Sequence, residues 1–236
     1  MTVVQSWDPV AVHNDLFHER TPWGDYQANL EKDEPKTLSR RTISVGLGSA
    51  NRHIPLTLAS TERFYSSTNF IFYHSRREPS FNNSTIYRHA PITNITLEHF
   101  PQSSIGWGLD PDNWIRQFRS SQFCLMIRGD SPHSHSLWRS IRVGCIPVIA
   151  SKYLPVYAPM FKSTLNMSDY AVIVDEEEMV RNATKSLLKL KEMTEEEIEV
   201  KVMHLAFAQK VIFTDHPESL FVPALLKEAV LAEEVQ

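Results

Sequence analysis

Long apolar runs are missing from these 236 residues: no stretch of about 18 is present to span a bilayer. A run of lysine and arginine is missing as well, and 24 basic against 28 acidic residues leave a formal net charge of −4. Nucleic-acid binding needs a basic face that displaces counterions from phosphates, so no nucleic-acid partner is expected. The polar opening Met1–Asp15 contains no charged-then-apolar leader, and no targeting segment is read in this chain. Cysteine is reduced to Cys124 and Cys145, which excludes a disulfide framework and a cysteine-rich zinc site. Glycine is held to seven residues, each beside an apparent element boundary. What is present is ordinary globular material, 42% hydrophobic and 22% charged, enough for one large domain or two small ones.

Residues 1–40 mix Pro, Asp, Glu, Trp and His without a sustained period and read as a poorly packed arm or interdomain remnant, leaving 41–236 as the domain. Thr42–Val45 reads as a strand feeding Gly46-Leu47-Gly48-Ser49, which lacks the third glycine of a dinucleotide loop and is read as a tight turn facing a ligand cleft. Ile54–Tyr65 is a candidate helix, Phe70–Tyr73 a strand, and Glu78–Ser104 a long loop with one strand near Ile86. Asp110-Pro111 opens a helix whose stripe is Trp114, Ile115 and Phe118. Phe123–Ile127 is a continuous apolar strand, as expected where both faces are covered. Ser134–Val143 is a helix with Leu137, Trp138 and Ile141 inward, ended by Gly144, and Ile146–Ile149 is the next strand. Strand, helix and strand in this spacing make a right-handed crossover between parallel strands. Tyr170–Val174 adds a strand, and Asp175 with Glu178 caps a helix, as Thr194 with Glu197 caps the next. Asp215 before Pro217 starts the last helix, running to about Ala232. The fold class is α/β: a Rossmann-like parallel sheet flanked by helices, with a helical C-terminal tail.

In an open parallel sheet, ligands bind beyond the carboxyl ends of the strands. The loop after Phe123–Ile127 is Arg128-Gly129-Asp130-Ser131-Pro132-His133-Ser134, which strings a cation, a glycine, two hydroxyls and then unpaired helix N–H groups together. Helix N-termini attract anions, by about 0.3–1 kcal/mol per charge at exposed sites. Arg128 can add a bidentate contact to a diphosphate. The candidate diphosphate residues are Arg128, Gly129, Asp130, Ser131, Ser134, His135, Ser136 and Arg139, with Gly46, Gly48, Ser49, Ser151 and Lys152 on the rim of a cleft. A capped βα loop with a surface arginine is the plainer reading of the same residues. No metal is expected, because His133 and His135 are two apart and do not share a helix face. Arg128-Gly129-Asp130 sits between core elements and is not read as an integrin motif. Glu176–Glu178 and Glu195–Glu197 are read as first-turn helix charges matching the dipole.

Ser121-Gln122-Phe123-Cys124-Leu125, Arg128–Pro132, Ser136-Leu137-Trp138, Ile141 and Gly144-Cys145-Ile146-Pro147-Val148-Ile149 together resemble the signature of exostosin-like glycosyltransferases of family 47. Ser104-Ile105-Gly106-Trp107, Trp114 and Leu154-Pro155 stand where relatives carry similar residues. The resemblance covers Arg41 to Phe213 and is densest over Ser121–Pro155. It implies the GT-B architecture of two Rossmann-like domains, and this chain is similar to the C-terminal, donor-binding half. It implies sugar transfer with inversion from a nucleotide-sugar donor, a UDP-sugar first, to a glycan or glycoprotein acceptor, without a metal or a cofactor besides that substrate. A base would deprotonate the acceptor hydroxyl while helix amides over Ser131–His135 and Arg128 meet the charge on the departing diphosphate. No catalytic residue is assignable. The resemblance also implies residence in the Golgi or ER lumen.

Several features depart from that pattern. Many relatives carry Ser-x-Arg-Leu-Phe and then an acid on the helix after the loop, the acid being expected on the ribose or base side of the nucleotide. Here Ser136 stands at the arginine position and Arg139 at the acid position. A guanidinium only donates, so it cannot accept from ribose hydroxyls. After the next strand, Ser151-Lys152 replaces the Ser-Asp of many relatives. Only some forty residues precede the first expected strand, too few for an acceptor domain. The chain is therefore expected to be a donor-domain fragment, a truncated gene model or a reduced protein, contacting membrane only through an anchor that lies outside it. The alternative function is a non-catalytic glycosyltransferase-like domain with a binding or assembly role. Sequons at Asn82, Asn83, Asn94, Asn166 and Asn182 suit a lumenal chain. Cys124 and Cys145 begin neighbouring strands; a disulfide requires Cα atoms within about 7 Å, and buried free thiols are the more frequent outcome.

Overall fold

In the computed structural model, which describes residues 54–75, 99–107, 109, 111–127, 135–151, 154 and 161–233, the apolar runs become the middle of one sheet. Helix α1 (Thr61–Tyr65) leads into strand β1 (Asn69–Ser75), and β2 (Ser104–Trp107), helix α2 (Pro111–Arg119), β3 (Ser121–Ile127), helix α3 (His135–Arg142) and β4 (Ile146–Ala150) follow. The remainder is α4 (Met167–Tyr170), β5 (Val172–Val174), α5 (Glu176–Arg181), α6 (Ala183–Leu188), a 3-10 turn over Lys189–Lys191, α7 (Glu195–Ile212) and α8 (Phe221–Glu233). Strand order is β2-β1-β3-β4-β5 and every pairing is parallel. Parallel neighbours cannot be joined by a tight turn, so α2 and α3 serve as crossovers on the way to β3 and β4. All residues of β3 except Gln122, and all of β4, are buried, which is why both read as continuous apolar runs. The architecture is the expected Rossmann-like α/β sheet with a helical C-terminal part.

Two apolar clusters hold the layers together. The larger joins Phe64 of α1 with Phe123, Leu125, Ile146 and Val148 of the sheet and Leu205 and Ile212 of α7. The smaller contains Ile54, Phe72, Trp114, Ile115, Phe118, Val143 and both cysteines. The cysteines are not free thiols as expected. Cys124 and Cys145 form a disulfide, with Cα atoms 5.9 Å apart and both side chains fully buried. The register explains it. Cys124 lies opposite Pro147, and Cys145, two residues before Pro147, projects to the same face of the sheet.

One polar side chain threads the larger core. Gln209 of α7 is completely buried; its Oε1 accepts from Ala59 N at 2.9 Å, and its Nε2 donates to Thr57 O at 2.8 Å and Ile141 O at 2.7 Å. These bonds fix the segment before α1 in an irregular course, where a helix over Ile54–Tyr65 was the expectation. Pro55 disfavours a helix at the preceding residue, and the Ser60 side chain accepts from Arg63 N, so the helix starts only at Thr61. Arg63 then reaches out of α1 to Gly144 O at 2.7 Å and Arg119 O at 2.8 Å. Burial, helped by repulsion from Arg119, lowers its pKa to about 10, which leaves it charged at neutral pH.

Other boundaries shift for local reasons. Ser104–Trp107 forms the edge strand β2 beside β1, where a loop was expected up to Ser104. A Cβ on its Gly106 would meet Leu109 Cδ1 at 2.4 Å and Phe72 Cζ at 3.2 Å, so a larger residue here would require the Leu109 side chain to shift. Met167–Tyr170 is a helical turn capped by Asn166, which shortens the expected strand over Tyr170–Val174 to β5. Asp175 caps α5, accepting from Glu178 N at 2.6 Å, but the Glu178 carboxylate turns to Lys185 and Lys189, so only half of the expected box forms. Thr194 and Glu197 make the complete box. Asp215 does not start the last helix. It accepts from Arg142 Nη1 at 3.0 Å, and α8 begins at Phe221, whose N–H donates to Ser219 Oγ. Gly144, at φ +68°, ends the chain's turn out of α3 as expected. The arm at 1–40, the strand at Thr42–Val45 and its turn, and the strand near Ile86 lie outside the described residues.

Replacing both cysteines by alanine is expected to remove about 3 kcal/mol of stability for a loop of this size. The thermal midpoint should fall by about 6–12 °C, with the same fall for the wild type in strong reductant. Calorimetry in oxidising and reducing buffer checks both. Gln209→Leu keeps the volume but strands the carbonyl of Thr57 and the amide of Ala59, while Ile141 O keeps only its bond from Gly144 N; a loss of about 2–4 kcal/mol in urea unfolding is expected.

Candidate functional site

The order β2-β1-β3-β4-β5 reverses direction at β1: the chain steps to one side for β2 and crosses back to β3 on the other. The crevice between the carboxyl ends of β1 and β3 is therefore the topological switch point, the position where open parallel sheets hold ligands. Ser75 ends β1 and Ile127 ends β3 at this place. Residues 128–134 connect Ile127 to α3, which begins at His135. Arg128, Gly129, Asp130, Ser131 and Ser134 of that loop lie outside the described residues. So do Gly46, Gly48, Ser49, Lys152 and the sequons Asn82, Asn83 and Asn94. The segments flanking the loop are firmly placed, since β3 is central and α3 is anchored by buried Leu137 and Ile141.

Of the expected site residues, His135 opens α3, Ser136 is half-buried in its first turn, and Ser140 Oγ donates to Ser136 O at 2.6 Å. Arg139, in the next turn, is only 7% exposed. Its guanidinium lies 4.6 Å from the centre of the Trp114 ring on α2. Trp114 in turn faces His74, the penultimate residue of β1, at 5.7 Å between rings. His74, Trp114 and Arg139 thus form a stack from β1 through α2 to α3, one helical turn in from the start of α3. A cation over an indole is worth about 2 kcal/mol when desolvated, so the Arg139 charge braces α2 against α3. Such a brace fixes where the first amides of α3 stand.

Two further groups line the same edge of the sheet. Ser151, immediately after β4, is 2% exposed, and its Oγ makes no hydrogen bond among the described residues. A buried hydroxyl left unbonded costs about 1–3 kcal/mol, a cost that a ligand could relieve. Glu176, the second residue after β5, stands in the first turn of α5 as expected and is 5% exposed. Glu177 is exposed, and Glu178 keeps its surface role, with Lys185 and Lys189 holding its carboxyl below the usual range. The run of three acids concealed that its first member is buried two residues beyond a strand's carboxyl end. That position was the available signal. Among the described residues no group of three His, Cys, Asp or Glu side chains could hold a metal ion, and no helix is long and apolar enough to cross a membrane.

A groove of about 580 Å³ lies elsewhere, between α4, the amino end of β5 and α7. Asp169, Lys189, Glu196, Lys201 and His204 give it mixed charge, and it contains none of the expected site residues. Lys201 Nζ donates there to Ser168 O and Ala171 O, both at 2.9 Å, and burial lowers its pKa.

Comparison with known proteins identifies the family. The model of the Exostosin GT47 domain matches residues 62–190, which include β1 to β5 and the switch point. Xyloglucan-specific galacturonosyltransferase 1 of Arabidopsis thaliana is 34% identical over 80 residues, covering 34% of this chain and 12% of that protein. Probable xyloglucan galactosyltransferase GT20 of the same plant is 31% identical over 88 residues, 36% of this chain and 16% of the relative. The matched segment is thus a small share of either relative's length. The domain match takes in more than half of the chain, and the chain belongs to the exostosin GT47 glycosyltransferase family.

Proposed function

We propose that residues 41–236 form the nucleotide-sugar-binding half of an inverting glycosyltransferase. The observation that carries this reading is the strand order, because it sets the end of β3, and so the connection to α3, at the switch point. A diphosphate in that crevice meets the first amides of α3, which have no partners within the helix, and the positive end of its dipole. Arg128 supplies the cation and Ser131 and Ser134 the hydroxyls. As the acceptor hydroxyl attacks the anomeric carbon, the bond from that carbon to the diphosphate oxygen breaks, and these donors stabilise the charge that gathers there. Glu176 is the carboxylate offered to the ribose hydroxyls, taking over what Arg139 cannot do because it only donates. Arg139 acts through Trp114, as a positioning residue for α3.

The names of the two relatives make galactose and galacturonic acid, carried on UDP, the donor sugars to test first, with xyloglucan as the acceptor glycan. A buried disulfide supports a Golgi or ER lumenal setting, since such bonds persist in oxidising compartments.

Titration calorimetry of the purified chain with UDP and UDP-sugars is expected to give binding, weakened at least about tenfold, or 1.4 kcal/mol, in Arg128→Ala. Glu176→Gln should weaken binding several-fold. Heat from no nucleotide overturns the proposal. For Arg139, a double-mutant cycle of Arg139→Met with Trp114→Leu should give a coupling of about 1–2 kcal/mol in urea unfolding, and Arg139→Met should cost less nucleotide affinity than Arg128→Ala. Additive effects on unfolding would instead assign the Arg139 charge to the ligand.

A further inference from the structure

Two Asn-x-Ser/Thr triplets fall within the described residues, and the fold uses them differently. In Asn166-Met167-Ser168 the amide is fully engaged. Its Nδ2 donates to Asp169 Oδ1 at 3.0 Å, and its Oδ1 accepts from Ser168 N at 3.3 Å and from Ser168 Oγ at 3.0 Å. In Asn182-Ala183-Thr184 only the oxygen is used. Asn182 Oδ1 accepts from Lys185 N at 3.0 Å, capping α6, while Nδ2 makes no hydrogen bond among the described residues. Asn182 stands at the break between α5 and α6, at φ −153° and ψ 80°, and is exposed, as are its neighbours Arg181 and Lys185.

We propose that Asn182 is an attachment site for an N-linked glycan. The inference rests on the lumenal setting proposed above, but not on sugar transfer by the chain itself. The co-reactant is an oligosaccharide carried on a lipid diphosphate. Asn182 Nδ2 bonds to its anomeric carbon, the bond from that carbon to the diphosphate oxygen breaks with its electron pair leaving on the lipid diphosphate, and the amide proton passes to the base of the transferring enzyme. The product is still an amide whose carbonyl oxygen accepts, so the cap on Lys185 N survives. A glycan at Asn166 would instead crowd the nitrogen that bonds Asp169.

The test expresses the full chain in a eukaryotic host behind a cleavable secretion leader and removes N-glycans enzymatically in heavy-oxygen water. Cleavage after glutamate releases residues 179–192 as one peptide. Asn182 is expected to appear as labelled aspartate in most of this peptide, with clearly lower labelling at Asn166. Thr184→Ala should abolish labelling at Asn182 without moving the thermal midpoint. Asn182→Asp, which keeps a capping oxygen, should remove the glycan and leave the fold intact. Unlabelled Asn182 in the secreted chain, or labelling at Asn166 in preference to Asn182, overturns the inference. A glycan at Asn182 on a chain that binds no nucleotide leaves this inference standing and removes the proposed function, and the reverse result separates them equally.

Discussion

Parallel pairing along the whole sheet is the constraint from which the rest follows. Strands that run the same way place all their carboxyl ends on one rim, and each step to the next strand must cross a face of the sheet. The crossing helices bury β3 and β4 on both sides, and the reversal of direction at β1 opens a crevice on the rim. The segment into α3, the buried hydroxyl of Ser151 and the buried carboxylate of Glu176 all belong to that rim because each begins within two residues of a strand's end. The topology gathers chemistry from residues up to about fifty positions apart without long-range design of any single contact.

Legibility in the sequence followed burial. β3 and β4 were plain because two covered faces demand uninterrupted apolar residues, and α3 was plain because Gly144 and an amphipathic stripe delimit it. β2 was illegible: four residues at an edge, one of them Gly106, have no period to detect. The segment before α1 looked helical by composition, yet its backbone is held by Gln209 and Arg142, partners some 90 to 150 positions away that no local rule supplies. Asp215 had the chemistry of a helix cap and was taken by an arginine instead. The disulfide depended on register, and pairing one residue out of step would have pointed the two sulfurs to opposite faces.

For the site, residue types were more readable than geometry. A cation, a glycine and hydroxyls ahead of a helix are visible in one line of sequence. The stack of His74, Trp114 and Arg139 is not, since its members come from three elements that meet only in the folded sheet. Arg139 stands where relatives often carry an acid, and its packing on Trp114 gives the substituted charge a role inside the scaffold. Glu176 was hidden by its own neighbours, a run of acids in which only the first is enclosed.

The bond between Cys124 and Cys145 closes a ring of backbone, 21 positions around, that contains the end of β3, the whole of loop 128–134 and α3. A protease that cut this loop would therefore release nothing. The two halves would stay covalently joined behind the cut, with β3 and β4 still adjacent, and the nick would show itself only after reduction.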